Sequence, residues 1–244
     1  MQNIYSEIYR TRYSETDCSL ALKPSALLQI LQDVASQNAE NLGFGYSFLV
    51  EKNLGWFLLK NHIEFSEYPE DICDLTIKTE PRGWSRLFAF RDFEICKGDK
   101  TLGKATTTWG LVDIATKSMV HVGSALEDNP NFTEFQKRED DLKYNKISSL
   151  ANITAEKVFE IRFDDLDVNQ HVNNSNYLVW AFETLDYDFR KSKKLKTLDM
   201  LFKKEIKYGN KVCSQVEKID NKTIHLLKNF ETGEELCQIQ AEWY

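Results

Sequence analysis

The sequence predicts an α+β protein of two tandem modules, each a long helix wrapped by an antiparallel β-sheet. Three observations predict it. The chain repeats itself at an offset of 150, each repeat opens with a strand, a turn and a helical stripe, and each closes on a series of strand-like segments. Arg12, Asp17, Ser25 and Leu28 recur as Arg162, Asp167, Ser175 and Leu178. Further along, the offset slips to 140, where YPEDIC at 68–73 faces YGNKVC at 208–213. Near the end of each half it is 134, with Leu102 and Trp109 facing Leu236 and Trp243. Insertions in the loops of the first half would produce that drift. The reading divides the chain into an N-terminal module over 1–123, a polar linker over 124–155 with a short helix at 132–141, and a C-terminal module over 156–244.

Each element has a local reason. Short strands are expected over 8–13 and, in the repeat, over 158–163. Pro24 fits the first turn of a helix, and Leu27, Leu28, Leu31, Val34 and Ala35 make its apolar stripe. That helix should stop near Gly43 and Gly45. In the second half Asn173, Asn174 or Ser175 can cap a helix carrying Tyr177, Ala181 and Leu185 on one face. Strands follow over 56–65, 72–80, 88–96 and 102–113, then over 198–208, 211–219, 223–229 and 235–243.

Composition narrows the function. The 244 residues carry 31 basic and 38 acidic side chains, a net charge of -7 that lacks the basic footprint of a nucleic-acid binder. No run approaches the roughly 18 apolar residues of a membrane helix, and the first ten residues have no leader pattern. Five cysteines without a CxxC pair suit a reduced, cytoplasmic compartment. There is no phosphate-binding glycine loop and no GxSxG elbow, and the four histidines are too scattered for a zinc site, so neither cofactor nor metal is expected.

One segment concentrates chemistry: Asp167, Asn169, His171, Asn173 and Asn174 fall within eight residues just before a helix start. Residues two apart in an extended segment share a side, so Asp167, Asn169 and His171 could line one wall, with helix-start N–H groups near 172–174 placed to hold an oxyanion. The alternative is a hydrogen-bonded turn and cap, for which Asn and Asp are the preferred residues. The repeat bears on the choice. Its first half has Asp17, Ser19 and Ala21 at these positions, so the shared Asp reads as structural and Asn169 with His171 as a single site per chain.

DLDVNQHVNNSNYLVW at 165–180 resembles the signature of hotdog-fold thioesterases, and specifically that of the acyl–acyl carrier protein thioesterases. The resemblance extends to LGWFLLKNHIEFSEYPEDI at 54–72, ATTTWGLVDIATKSMV at 105–120 and FKKEIKYGN at 202–210. It implies two tandem hotdog modules, with catalysis in the C-terminal one and much of the acyl pocket in the N-terminal one. The implied activity is hydrolysis of fatty acyl–acyl carrier protein, releasing the fatty acid and ending chain elongation. Residue by residue, the implied catalytic set is Asp167, Asn169, His171 and Glu205, the last within the strand after the helix. Plant members carry a Cys directly after that Glu, whereas this chain has Ile206, which removes a Cys–His mechanism at that place. A carboxylate, Glu205 or Asp167, then acts as base toward water or attacks directly.

The implied substrate-binding residues are Trp56, Phe57, Trp84, Asn173, Asn174 and Tyr177, with Phe44, Tyr46, Phe48 and Phe88 as further candidates for the acyl tunnel. An acidic carrier protein needs a basic face on a chain of charge -7, and Arg190, Lys191, Lys193, Lys194 and Lys196 form the densest basic cluster. The pairing of two modules within one chain allows a monomer or a homodimer. Three rivals stand beside this reading: a hotdog acyl-coenzyme A thioesterase, a hotdog enoyl hydratase, and a non-catalytic acyl-binding module.

Overall fold

The computed structural model describes residues 4–244. Alternation of apolar and polar side chains organises its strands, as in the segment Phe88–Lys97, where Ala89, Arg91, Phe93 and Ile95 are buried on one face. The first module runs β1 (Tyr5–Arg10), α1 (Pro24–Asn41), α2 (Tyr46–Lys52), β2 (Leu54–Phe65), β3 (Asp74–Ser85), β4 (Phe88–Lys97), β5 (Lys100–Asp113), β6 (Ser118–Met119) and α3 (Val122–Ala125). The second runs β7 (Ala155–Glu160), α4 (Asn174–Phe182), α5 (Tyr187–Ser192), β8 (Leu195–Phe202), β9 (Lys211–Ile219), β10 (Lys222–Asn229) and β11 (Glu235–Trp243).

All strands join one antiparallel sheet in the order β1-β3-β4-β5-β2-β8-β11-β10-β9-β7, with β6 attached to β5. Read inward from either end the connection is the same, so a pseudo-two-fold axis passes between β2 and β8. The inward face packs against α1 and α4, which touch through Gln29 Nε2 donating to Ser175 Oγ at 2.9 Å and Asn174 Nδ2 donating to Gln32 Oε1 at 3.2 Å. This is the α+β hotdog architecture in duplicate.

Equivalent backbone bonds fix the internal register. Thr11 N–H reaches Cys73 O as Ile161 N–H reaches Asn210 O, and Leu22 N–H reaches Pro69 O as Val172 N–H reaches Ile206 O. The middle offset is therefore 137, and the expected match of YPEDIC with YGNKVC is out of register. The offset of 134 near the end holds, because Ser66 and Lys203 donate to Leu102 O and Leu236 O respectively.

Three further expectations are corrected. The second module's helix is not long: α4 has nine residues, because Thr184 Oγ1 and N–H both take Ala181 O and Asp186 then caps α5 through Phe189 N–H. Strand β8 ends at Phe202, so Glu205 lies in the loop beyond it. The linker forms no helix over 132–141. There Trp84 N–H donates to Thr133 O and Phe135 N–H to Trp84 O, pairing the chain alongside β3. Gly83, at φ +96°, makes the approach possible, since a Cβ there would lie 2.4 Å from Thr133 O.

The linker is a strap across the outward face of the sheet. Its backbone donors are met by strand side chains in sequence: Asn145 N–H by Asp199 on β8, Ser148 N–H by Gln240 on β11, and Ala151 N–H by Glu217 on β9. Asp199, 2% exposed, also accepts from Asn145 Nδ2 at 3.0 Å and lies 2.8 Å from His62 Nδ1. Replacing it, Asp199→Ala, strands those donors without water and should cost about 3 kcal/mol. Urea denaturation should show that loss together with faster proteolysis within 140–150.

Candidate active site

Residues 166–172 form a tight loop closed by an antiparallel bridge between Leu166 and Val172. One carboxylate oxygen organises it: Asp167 Oδ1 accepts Asn169 N–H at 2.8 Å and His171 N–H at 3.1 Å, while Asp167 N–H donates to His171 O at 2.7 Å. These bonds let Gln170 adopt φ +63°. The first module builds the same loop. Asp17 Oδ1 accepts Ser19 and Ala21 N–H, Asp17 N–H donates to Ala21 O, and Leu20 stands at φ +65°. The shared aspartates are thus both turn-builders, and the three groups are brought together by a turn rather than by an extended segment.

What differs between the modules is what the loop carries. Asn169 and His171 replace Ser19 and Ala21, and at the offset of 137 Glu205 replaces Tyr68. Tyr68 is buried, its hydroxyl donating to Leu22 O at 2.6 Å. Glu205 instead lies in the loop after β8, with Oε2 3.4 Å from His171 Nε2. Backbone pairing holds the two together, since His171 bridges Lys207 and Val172 N–H donates to Ile206 O.

Partial burial and the Asp167 charge push the Glu205 carboxyl from 4.5 up to about 7. Burial, with Lys207 and Lys117 nearby, pushes the His171 imidazole below its usual 6.5, so the ring is neutral at neutral pH. The other histidines are committed elsewhere. His62 lies under the strap beside Asp199, His121 caps α3 through Ser124 N–H, and His225 packs on Phe182, where burial lowers it to about 3.

The pair opens onto a cleft of about 1100 Å³ between the modules. Its C-terminal wall includes Asp167, Asn169, His171, Asn174, Tyr177 and Glu205, and its N-terminal wall includes Trp56, Phe57, Val112, Ile114 and Lys117. Trp56 also lines a smaller apolar cavity of about 80 Å³ under α1, with Phe44, Ala89 and Trp109. Arg91, buried and bonded to the neutral oxygens of Asn38 and Thr79, is the charged group of that cavity, and burial lowers it to about 9.

Comparison with known proteins gives the chain a family. The model of the acyl-ACP thioesterase N-terminal domain matches residues 2–128, more than half of the chain, and that of the C-terminal domain matches 148–244. The chain belongs to the acyl-ACP thioesterase family. It is 22% identical over 289 residues to the chloroplastic oleoyl-acyl carrier protein thioesterase 2 of Arabidopsis thaliana, covering 98% of this chain and 76% of that protein. With the oleoyl-acyl carrier protein thioesterase of Coriandrum sativum it shares 25% over 228 residues, covering 86% and 61%. Most of these plant proteins are longer, and the chain spans less than two thirds of their length. A Lactobacillus plantarum structure described as an oleoyl thioesterase superposes with TM-score 0.87 at 25% identity, covering 99% of this chain and 96% of that one. The 12:0-ACP thioesterase of Umbellularia californica has the same fold, with TM-score 0.86 at 20% identity over 99% and 94%.

Several residues expected at the site of this acyl-ACP thioesterase family member stand elsewhere. Asn173 is spent capping α4, its Oδ1 accepting Ser175 N–H and Oγ–H. Trp84 packs against Gly123 and His121. Tyr46 and Phe88 are exposed. Two of the three expected oxyanion donors are also used: Val172 N–H goes to Ile206 O and Asn173 N–H to Asp165 O. Arg190, Lys191, Lys193, Lys194 and Lys196 gather around α5 and the start of β8, whereas Glu205 lies beyond its other end, about 23 Å away at the rise of a strand. The sequence reading missed Lys117, Lys203, Lys204 and Lys207, which line the cleft. Proximity of 203, 204 and 207 to Glu205 was the signal available for three of them.

If Asp167 builds the turn, Asp167→Asn, which keeps an acceptor oxygen, should retain most activity, while Asp167→Ala should lose the loop and about 1–2 kcal/mol of stability. Removing the charge at 167 also lowers the Glu205 carboxyl, so the pH–rate profile of Asp167→Asn should move to lower pH. Parallel profiles and thermal melts of the two variants check this.

Proposed function

We propose that this chain hydrolyses the thioester of a fatty acyl chain carried by acyl carrier protein, with Glu205 and His171 as the catalytic pair. The observation that carries the reading is the 3.4 Å approach of these two groups within a cleft shared by both modules, in a chain whose family is the acyl-ACP thioesterases. The chain is a thioester hydrolase, and the reaction needs a base for water, a donor for the oxyanion and little help for the leaving thiol, whose pKa of about 8.5 lets it depart as thiolate.

Glu205 is the base. One oxygen of Asp167, Oδ1, is already held by two backbone N–H groups, and its counterpart Asp17 has the same bonds in a loop that carries Ser19 and Ala21 in place of Asn169 and His171. A carboxyl poised near 7 takes a proton from water far better than an ordinary one. The water oxygen attacks the thioester carbonyl carbon as its proton passes to Glu205. Neutral His171, its Nε2 3.4 Å from the same carboxyl, relays that proton to sulfur as the C–S bond breaks. The side-chain amide of Asn169, exposed in the cleft, donates to the carbonyl oxygen.

The acyl chain runs along Trp56 and Phe57 toward the apolar cavity under α1, with Tyr177 beneath the reacting centre, its hydroxyl 3.5 Å from Lys204 O. Asn174, tied to Gln32, keeps α4 and α1 together at the cleft floor.

Thiol release from a panel of acyl-carrier proteins and the matching coenzyme A esters tests the reading. Turnover should favour the carrier-linked substrates and fall about 10²–10⁴-fold in both His171→Ala and Glu205→Gln; equal or better turnover of the coenzyme A esters would overturn the substrate. The kcat/KM profile should rise with pH through an apparent pKa near 7 as Glu205 ionises. Because Trp56 lies between the two cavities, Trp56→Ala should shift the preference within the panel toward longer chains.

A further inference from the structure

Four lysines line the catalytic cleft, and they are not equivalent. Lys203 pairs with Glu235 at 2.5 Å and Lys204 with Glu234 at 2.8 Å, outside the reacting centre. Among the described residues neither Lys117 nor Lys207 has an acidic side chain within salt-bridge distance. On a chain of net charge -7, two unpaired cations at one cleft are a local exception. They come from different modules. Lys117 ends the tight turn after β5, where its N–H donates to Asp113 O and the Asp113 carboxylate takes Thr116 N–H and Oγ–H. That turn holds Lys117 at φ +55°, a conformation uncommon for a residue with a side chain. Lys207 stands two residues after Glu205, its backbone bridged to His171. Both lysines are exposed, and both are near enough to His171 and Glu205 to bear on their charges.

A thioester seated beside His171 and Glu205 must lead out of the cleft along its pantetheine arm, and the first charge on that arm is a phosphate. We infer that Lys117 and Lys207 form a two-sided clamp for the phosphodiester of the phosphopantetheine arm on an acidic carrier protein. Lysine suits the task, since a compact ammonium on a flexible stem binds phosphate as a point charge without demanding one geometry. Carrier-linked substrate then bridges the modules, drawing the Lys117 turn toward the Glu205 loop. The basic cluster at Arg190–Lys196 lies at the other end of β8 and is not part of this clamp. This inference rests on the carrier-protein reading of the site.

The test compares kcat/KM on an acyl-carrier protein with that on the same acyl group as its N-acetylcysteamine thioester, which has no phosphate. Wild type, Lys117→Ala, Lys207→Ala, the double variant and a Lys193→Glu/Lys194→Glu control would each be measured across pH and salt. The double variant should lose about tenfold or more on the carrier-linked substrate, mostly through KM, with a shallower salt dependence. Its loss on the phosphate-free thioester, compared at each enzyme's pH plateau, should be several-fold smaller. Lys117→Arg/Lys207→Arg should recover most of the difference, and the control variant should show none.

Equal losses on both substrates would overturn the clamp and leave the lysines as tuners of His171 and Glu205. A selective loss on acyl-coenzyme A but not on the carrier-linked substrate would also overturn it. Wild-type enzyme that cleaves the small thioester yet no carrier-linked substrate would instead overturn the carrier-protein reading, and the clamp with it.

Discussion

The two modules meet through five residue pairs between β2 and β8, Lys60–Glu64 against Thr197–Leu201, and the cleft they share depends on that seam. At the centre of that seam His62 faces Asp199, and the offset of 137 makes these two residues each other's equivalents. Their pair therefore lies on the pseudo-two-fold axis. An exact repeat would place like against like there, two buried carboxylates or two imidazoles. Divergence has put complementary groups at the one position where the symmetry forces a residue to meet its own counterpart. Asp199 then gathers the strap through Asn145, and Tyr144 beside it stacks edge-on against His62 and bonds Thr108 at 2.7 Å. Sheet continuity, module orientation and the path of the linker are set at one buried node.

From that frame the division of labour between the modules follows. Both build the same aspartate-centred loop, so the backbone geometry that presents positions 169 and 171 is present twice. Only the second copy fills it with an amide and an imidazole, and only there does a carboxylate replace the buried tyrosine at the opposing position. The first copy has filled the corresponding space with Ala21 and Tyr68, which strengthens its core. It contributes instead the wall of Trp56 and Phe57 and the apolar cavity under its longer helix.

The electrostatics of the pair depend on this shared enclosure. Neither His171 nor Glu205 is fully buried: their side chains are 20% and 44% exposed. That is enough desolvation to raise one and lower the other without locking either into a fixed charge state. The consequence for stability runs against the usual carboxylate pattern. With the folded carboxyl raised, folding stability associated with Glu205 is fully present below 4.5 and declines as pH climbs through about 7. The raised carboxyl is kept at some expense to the fold.

Much of this was legible in the sequence. Period, caps and motif spacing determine the duplicated α+β layout, the loop at 167–171 and the residues most apt for chemistry, because each depends on neighbours within a few positions. The repeat also pointed to a turn-building part for Asp167, since Asp17 stands where no His or Asn accompanies it and accepts the same pair of backbone N–H groups. What tertiary structure decided is every relation across the seam. Glu205, expected within a strand, is seen to lie in the loop after β8, turned against His171. Asn173 reads as a site residue until its amide is seen capping α4. The strap over 132–141 reads as helix until Gly83 and Trp84 are seen taking its backbone. Lysines 117 and 207, ninety residues apart in sequence, become one feature only because two modules share a sheet. Local sequence fixes conformations; which distant groups come to share a cleft depends on the pairing of β2 with β8, which the chain encodes only as a whole.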